Sequence, residues 1–154
     1  MPGTTDTGNH CDDCDTNIGL PFSFTLYEQT FDSVNVNSNG RLDFMTVNEP
    51  NYGFRLDCLP APPNIGPYDY TIFGLWHDLS TDTGLSGCST WANGCGIFTS
   101  VSGTAPNRIF TIEWHAVRFQ DNANAVNFEV RLYENSAGTN KPFDVIYGPD
   151  RWCD

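Results

Sequence analysis

Apolar and polar residues alternate with a period of two along most of this chain, and no stretch repeats apolar positions at helical spacing. In LPFSFTLY, Phe22, Phe24 and Leu26 fall on one face, with Ser23 and Thr25 on the other. SVNVNSNGRLDF sets Val34 and Val36 against Asn35 and Asn37, breaks at Asn39-Gly40, and resumes with Leu42 and Phe44. Asn-Gly between alternating segments predicts a β-hairpin, because both residues tolerate the positive φ of a tight turn. Further strands are expected through TIFGLW and GIFTSV, separated by the Pro- and Gly-rich loops PAPPNIGP and STDTGLSGCSTWANG.

The clearest pair comes late. RIFTIEWHAVRF turns Phe110, Ile112, Trp114 and Ala116 inward, NFEVRLY does the same with Phe128, Val130 and Leu132, and QDNANA supplies the turn. Placing Trp114 opposite Val130 sets Glu113 against Arg131 and His115 against Glu129, complementary pairs of about 0.2–1 kcal/mol each. PFDVIYG reads as a last strand. Many short strands with regular turn signals predict an all-β fold: a two-sheet antiparallel β-sandwich, jelly-roll-like and stapled by disulfides. The chain of 154 residues fits one domain. Residues 1–19 are expected as an acidic, cysteine-containing segment packed on the domain, 20–148 as the sandwich, and 149–154 as a tail tied by Cys153.

Charge narrows the partners. Nineteen acidic against seven basic residues give a net charge of −12. That surface repels phosphate backbones and anionic lipid, so neither nucleic acid nor membrane insertion is expected. Six cysteines with a single lysine read as an oxidising, secreted or cell-surface setting. MPGTTDTG has neither the basic nor the apolar region of a secretory leader, so Met1 is expected to open a mature form or an engineered start.

LPFSFTLYEQTFDSVNVNSNGRLDF resembles the opening of nidogen-like domains and related bacterial surface modules. Pro21-Phe22, Phe24, Tyr27, Phe31, Val34, Val36, Asn39-Gly40 and Phe44 carry the resemblance. Leu75-Trp76-His77-Asp78 is similar to a later family signature, and NFEVRLYE with FDVIYG to its closing strands, so the likeness spans Leu20 to Gly148. Glu28 stands where a turn glycine is usual, Leu75 replaces an aromatic, and the cysteines differ from those of animal nidogen domains. The resemblance implies a bacterial extracellular adhesion or structural module without catalysis, set among neighbouring domains of a larger surface protein. A cell-surface glycan, a protein or a second copy is the partner expected of it.

The most reactive-looking stretch is HCDDCD. A redox CxxC belongs at a helix N-terminus, whereas Cys11-Asp12-Asp13-Cys14 precedes a strand among aspartates that raise a thiol pKa. A zinc site needs a second close pair, which Cys88 and Cys95 do not make. A staple is the reading: Cys88 bridged to Cys95, while Cys11, Cys14, Cys58 and Cys153 leave three pairings open.

Calcium is the expected cofactor, if any. Asp13-x-Asp15-x-Asn17-x-Gly19 and Asp78-x-Ser80-x-Asp82-x-Gly84 alternate oxygen-bearing side chains in short acidic stretches, and hard cations take about six to eight oxygens. Neither is an EF-hand, and Asp and Asn also favour turns for their own sake. For acid–base chemistry the candidates are His77-Asp78, Glu113-x-His115 and Glu129, but no nucleophile elbow or metal-binding His pair accompanies them. Carbohydrate binding would draw on Trp91, Tyr52, Tyr68 and Tyr70 as planar loop aromatics, with Trp152 also available. Lys141, the single lysine, sits in a polar turn unsuited to a buried isopeptide bond.

Overall fold

The computed structural model describes residues 3–45, 54, 68–135 and 142–148. Within these, two antiparallel sheets face one another. β2 (Asp15–Leu26), β3 (Gln29–Asn37), β4 (Arg41–Asp43) and β5 (Thr71–Phe73) run in that order as a four-stranded meander. The second sheet orders β1 (Thr5–Asp6), β7 (Gly96–Ser102), β8 (Ile109–Arg118), β9 (Asp121–Tyr133) and β10 (Phe143–Tyr147). β6 (Leu79–Ser80) pairs with the far end of β8. The antiparallel sandwich expected from period-two patterning is therefore the fold. No helix among the described residues is long and apolar enough to cross a membrane.

The alternation places the core where it is read in the sequence. Phe22, Phe24, Leu26, Val34, Val36 and Leu42 from one sheet meet Phe110, Ile112, Trp114, Phe128 and Val130 from the other. Trp114 is fully buried and stacks on Phe128 at 4.8 Å between ring centres. Its indole N–H donates to the Asn37 carbonyl across the sheets at 2.9 Å, which satisfies the one polar atom that so much apolar burial would strand. Elsewhere Arg108 grips Glu134 through two N–H groups, at 2.6 and 2.8 Å, and donates a third to the Pro21 carbonyl at 2.8 Å.

Register departs from expectation in the β8–β9 hairpin. Trp114 lies opposite Phe128 rather than Val130, Glu113 opposite Glu129, and His115 opposite Asn127. A slip of two residues leaves every side chain on its expected face, so the apolar pattern does not distinguish the two registers. The turn is also tighter than QDNANA: Arg118 pairs with Asp121, and the register shifts between Val117 and Arg118. The β2–β3 turn holds Tyr27 at φ 46° and Glu28 at φ 68°, so both central residues are left-handed. Non-glycine residues pay about 1–2 kcal/mol each for that conformation.

Residues before Leu20 belong to both sheets. β1 pairs with β7, and Asp15 to Gly19 form the first part of β2. With the Cys88–Cys95 loop they cover the outer face of the second sheet, which is why Glu113 and His115 are buried. Gly3 lies so close to β7 that an added Cβ would stand 2.5 Å from the Phe98 Cβ.

Candidate functional site

The two acidic stretches meet at one junction. Cys11 and Cys14 are bonded to each other, closing the CDDC segment into a tight loop. Asp12 forms an isolated antiparallel bridge with Ser80, and the Thr81 N–H donates to the Cys11 carbonyl at 3.0 Å. In return the Cys11 N–H donates to the Thr81 hydroxyl oxygen at 3.1 Å. A third loop joins them. Asn39, fully buried, donates from Nδ2 to Asp13 Oδ1 at 2.6 Å and accepts the Leu79 N–H on Oδ1 at 2.7 Å. Gly40 follows at φ 83°, with the Leu75 carbonyl only 1.9 Å from where a Cβ would sit. Its own carbonyl accepts the N–H groups of Gly74 and Leu75.

This packing concentrates negative charge. Burial first, then Asp13, Asp78 and Asp82, push the Asp12 carboxyl from 3.8 up to about 6. Asp12 Oδ1 is buried without a hydrogen-bond partner. Asp78 is raised by burial and by Asp13, with His77 opposing. As a residue Asp78 is only 6% exposed. Beside them a small cavity of about 90 Å³ is lined by Ser80, Asp82, Leu85, Phe119 and Asn122. No three His, Cys, Asp or Glu side chains among the described residues are arranged to clasp one ion by themselves.

Of the residues expected to ligate a cation, the fold therefore gathers Asp13, Asp78, Ser80 and Asp82, and adds Asp12. Asp15 and Asn17 stand apart, in β2. Asp15 accepts from Asn37 Nδ2 at 2.7 Å and faces Arg41 at 3.7 Å, while Asn17 donates to Asn35 across the strands at 2.8 Å.

The acid–base candidates of the β8–β9 hairpin are tied up in internal contacts, whereas His77 and Asp78 stand at the acidic junction. Burial pulls Glu113 upward, but hydrogen bonds from His115, the Gly3 N–H and Asn127 outweigh it and hold the carboxyl at about 2. Those bonds measure 3.1 Å from His115 Nε2, 2.5 Å from Gly3 and 2.9 Å from Asn127. Glu129 pairs with Arg131 on its own strand. The expected cross-strand pairs are replaced by these same-face contacts, because the register sets the two glutamates opposite each other and each needs a donor elsewhere.

The aromatic candidates are largely covered. Trp91 lies flat on His115, 4.6 Å away and 4° from parallel, and packs against the Cys88–Cys95 disulfide. Tyr68 meets Phe73 and Trp76 edge-on at 5.4 Å each, under the Arg41 guanidinium. Tyr70 packs on Phe31 at 5.4 Å and stands 6.3 Å from Tyr27, which is 77% exposed. Tyr52, Trp152, Cys58, Lys141 and Cys153 lie outside the described residues.

Sequence reasoning overlooked Asn9, Asn39 and Thr81, all fully buried. Asn39 carried a signal, but it was a turn signal. That its side chain would be sequestered has no local mark.

No curated protein and no solved structure matches the chain at a significant level. The model of the family described as "NIDO related" matches residues 1–141, nearly the whole of the sandwich and its N-terminal segment. An extracellular location is compatible with that family and with the two disulfides. The strand and turn motifs that resemble nidogen-like domains therefore reflect descent: the chain belongs to the NIDO-related, that is nidogen-related, family.

Proposed function

We propose that this chain is a non-catalytic adhesion or structural module of a secreted or cell-surface protein, stabilised by calcium. One contrast carries the reading. Every candidate general acid or base in the β8–β9 hairpin has an internal partner, whereas Asp12, Asp13, Asp78 and Asp82 crowd a single acidic junction in which Asp12 Oδ1 is buried without a partner. A carboxyl held near 2 is too weak a base and too strong an acid to exchange protons usefully near neutrality. Carboxylates crowded into one place suit a hard cation.

The exposed Tyr27 end of the four-stranded sheet is the surface this reading assigns to adhesion. Tyr27 and Tyr70 both hold left-handed backbone, at φ 46° and 55°, with their rings 6.3 Å apart, and residues held in such sparsely populated conformations cluster at functional sites. Beads coated with the wild-type chain should adhere to cells or to one another, and Tyr27→Ser should reduce that adhesion. A strictly monomeric chain that coats inert beads would count against the reading. Glycan binding is the second possibility, because the exposed Tyr27 ring with its neighbour offers a planar platform. Binding on a glycan array that Tyr27→Ser abolishes and Trp91→Ala spares would favour it. Turnover of a polysaccharide, lost in Glu113→Gln, would replace both with a hydrolase.

A further inference from the structure

Resting on the assignment of adhesion to the Tyr27 end, we propose that the partner taken there is a protein segment presenting an arginine. Its guanidinium lies over the exposed Tyr27 ring, and its charge is met by Glu28 and Asp69.

Four rings lead from the core to this surface. Phe31 lies 5.1 Å from Phe44 and meets Tyr70 edge-on at 5.4 Å, and Tyr70 stands 6.3 Å from Tyr27. Phe44 is 9% exposed and Tyr27 77%, so the row anchors its last ring while leaving most of that ring to solvent. The backbone here is unusual as well. A two-residue hairpin turn with both centres left-handed favours Asn-Gly, yet β2 and β3 are joined by Tyr27 at φ 46° and Glu28 at φ 68°. With Tyr70 at 55°, three of the four left-handed non-glycine residues among those described stand at this end. Both turn side chains are exposed, so for folding alone Asn-Gly would serve the turn better.

The setting of the ring is anionic. Glu28 follows Tyr27, Asp69 precedes Tyr70, and both acids are exposed. Described arginines are engaged elsewhere: Arg41 with Asp43, Arg108 with Glu134 and Arg131 with Glu129, while Arg118 closes β8. A tyrosine face attracts a cation through its quadrupole, and arginine stacks on rings better than lysine does. The fold already makes this contact internally, with Arg41 over the Tyr68 ring at 5.3 Å and Arg108 over the Phe22 ring at 5.4 Å. A second copy is a poor occupant, because it would set Glu28 and Asp69 against their own counterparts on a chain of net charge −12.

The test uses the full chain with its disulfides intact and a glycine-spaced peptide carrying two arginines, followed by fluorescence anisotropy. Lysine and citrulline versions of the peptide are the comparisons. Affinity should fall in the order arginine, lysine, citrulline, and should weaken as salt rises from about 50 to 300 mM. Tyr27→Asn combined with Glu28→Gly should weaken arginine-peptide binding about two- to fivefold while melting higher than wild type, a pairing that a merely structural turn would not give. Asp69→Asn, outside the turn, should weaken binding too, whereas Asp121→Asn, an exposed acid at the start of β9, should not. Should the turn variant melt lower, Asp69→Asn and the order of the peptides decide. Equal losses in Asp69→Asn and Asp121→Asn would reduce the binding to net charge and overturn the proposal. So would a citrulline peptide that binds as well as the arginine one, or capture of a neutral glycan in its place. Bead adhesion to cells that Tyr27→Ser lowers but the arginine peptide does not compete overturns the arginine while leaving the adhesive surface standing. Absence of both adhesion and peptide binding overturns both.

Discussion

Asn39 and Asp13 are joined by a 2.6 Å hydrogen bond that ties the β3–β4 turn to the CDDC loop, while the same Asn39 side chain accepts the Leu79 N–H from the other sheet. One amide thus spans three segments that are distant in sequence. It does so with both its donor and its acceptor engaged, as a fully buried amide must.

Replacing it should be costly. Asn39→Ala strands the buried Leu79 N–H and removes the only described donor to Asp13, which predicts a loss of about 2–4 kcal/mol. Chemical denaturation should show a lower midpoint with an unchanged slope. Asn39→Asp should be worse still, because it adds charge beside Asp13 and removes the donor.

Gly40→Ala tests the same joint by sterics. The new methyl would sit 1.9 Å from the Leu75 carbonyl oxygen, on backbone at φ 83°. The expected penalty is about 2–4 kcal/mol, from left-handed strain together with displacement of the Leu75 segment. Gly84, also left-handed at φ 87° but with nothing within 4 Å, should accept Ala at the cost of the backbone strain alone. Paired thermal melts of the two variants separate the contributions.

Two carboxyls give stability opposite pH dependences. Asp12 is raised from 3.8 to about 6, so the folded chain holds that proton more tightly than the unfolded chain does. In chelator its contribution is fully present below pH 3.8 and is lost as pH rises through about 6. Glu113 is lowered from 4.5 to about 2, so its contribution is present above 4.5 and is lost as pH falls towards 2. Denaturation across this range should show Asp12→Asn removing the loss on the alkaline side. Glu113→Gln should flatten the loss on the acid side.

The Cys88–Cys95 bridge closes a short loop that carries Trp91 onto His115. Converting both cysteines to serine should lower stability by about 2–3 kcal/mol in the chain-entropy account. Near-ultraviolet circular dichroism should lose the Trp91 signal in parallel. An unchanged melt would mean that packing alone holds the loop.

Much of this architecture was legible in the residues. Alternation in LPFSFTLY and RIFTIEWHAVRF assigned Phe24 and Trp114 to the core, because a strand's side-chain period is two whatever surrounds it. Asn39-Gly40 announced its turn, and the shortness of the loop between Cys88 and Cys95 announced their bond. What only the tertiary structure decided is nonlocal. The two-residue slip that sets Glu113 opposite Glu129 preserves both faces, so it is invisible to patterning and follows from the tight turn with its register shift before Arg118. The joining of Asp12 and Asp13 to Asp78 and Asp82 depends on a bridge between residues far apart in the chain. A carboxyl's environment is set by whichever neighbours the fold brings within a few ångströms. The sequence determined which residues are acidic, and packing decided which of those acids were crowded together and left one oxygen, Asp12 Oδ1, buried without a partner.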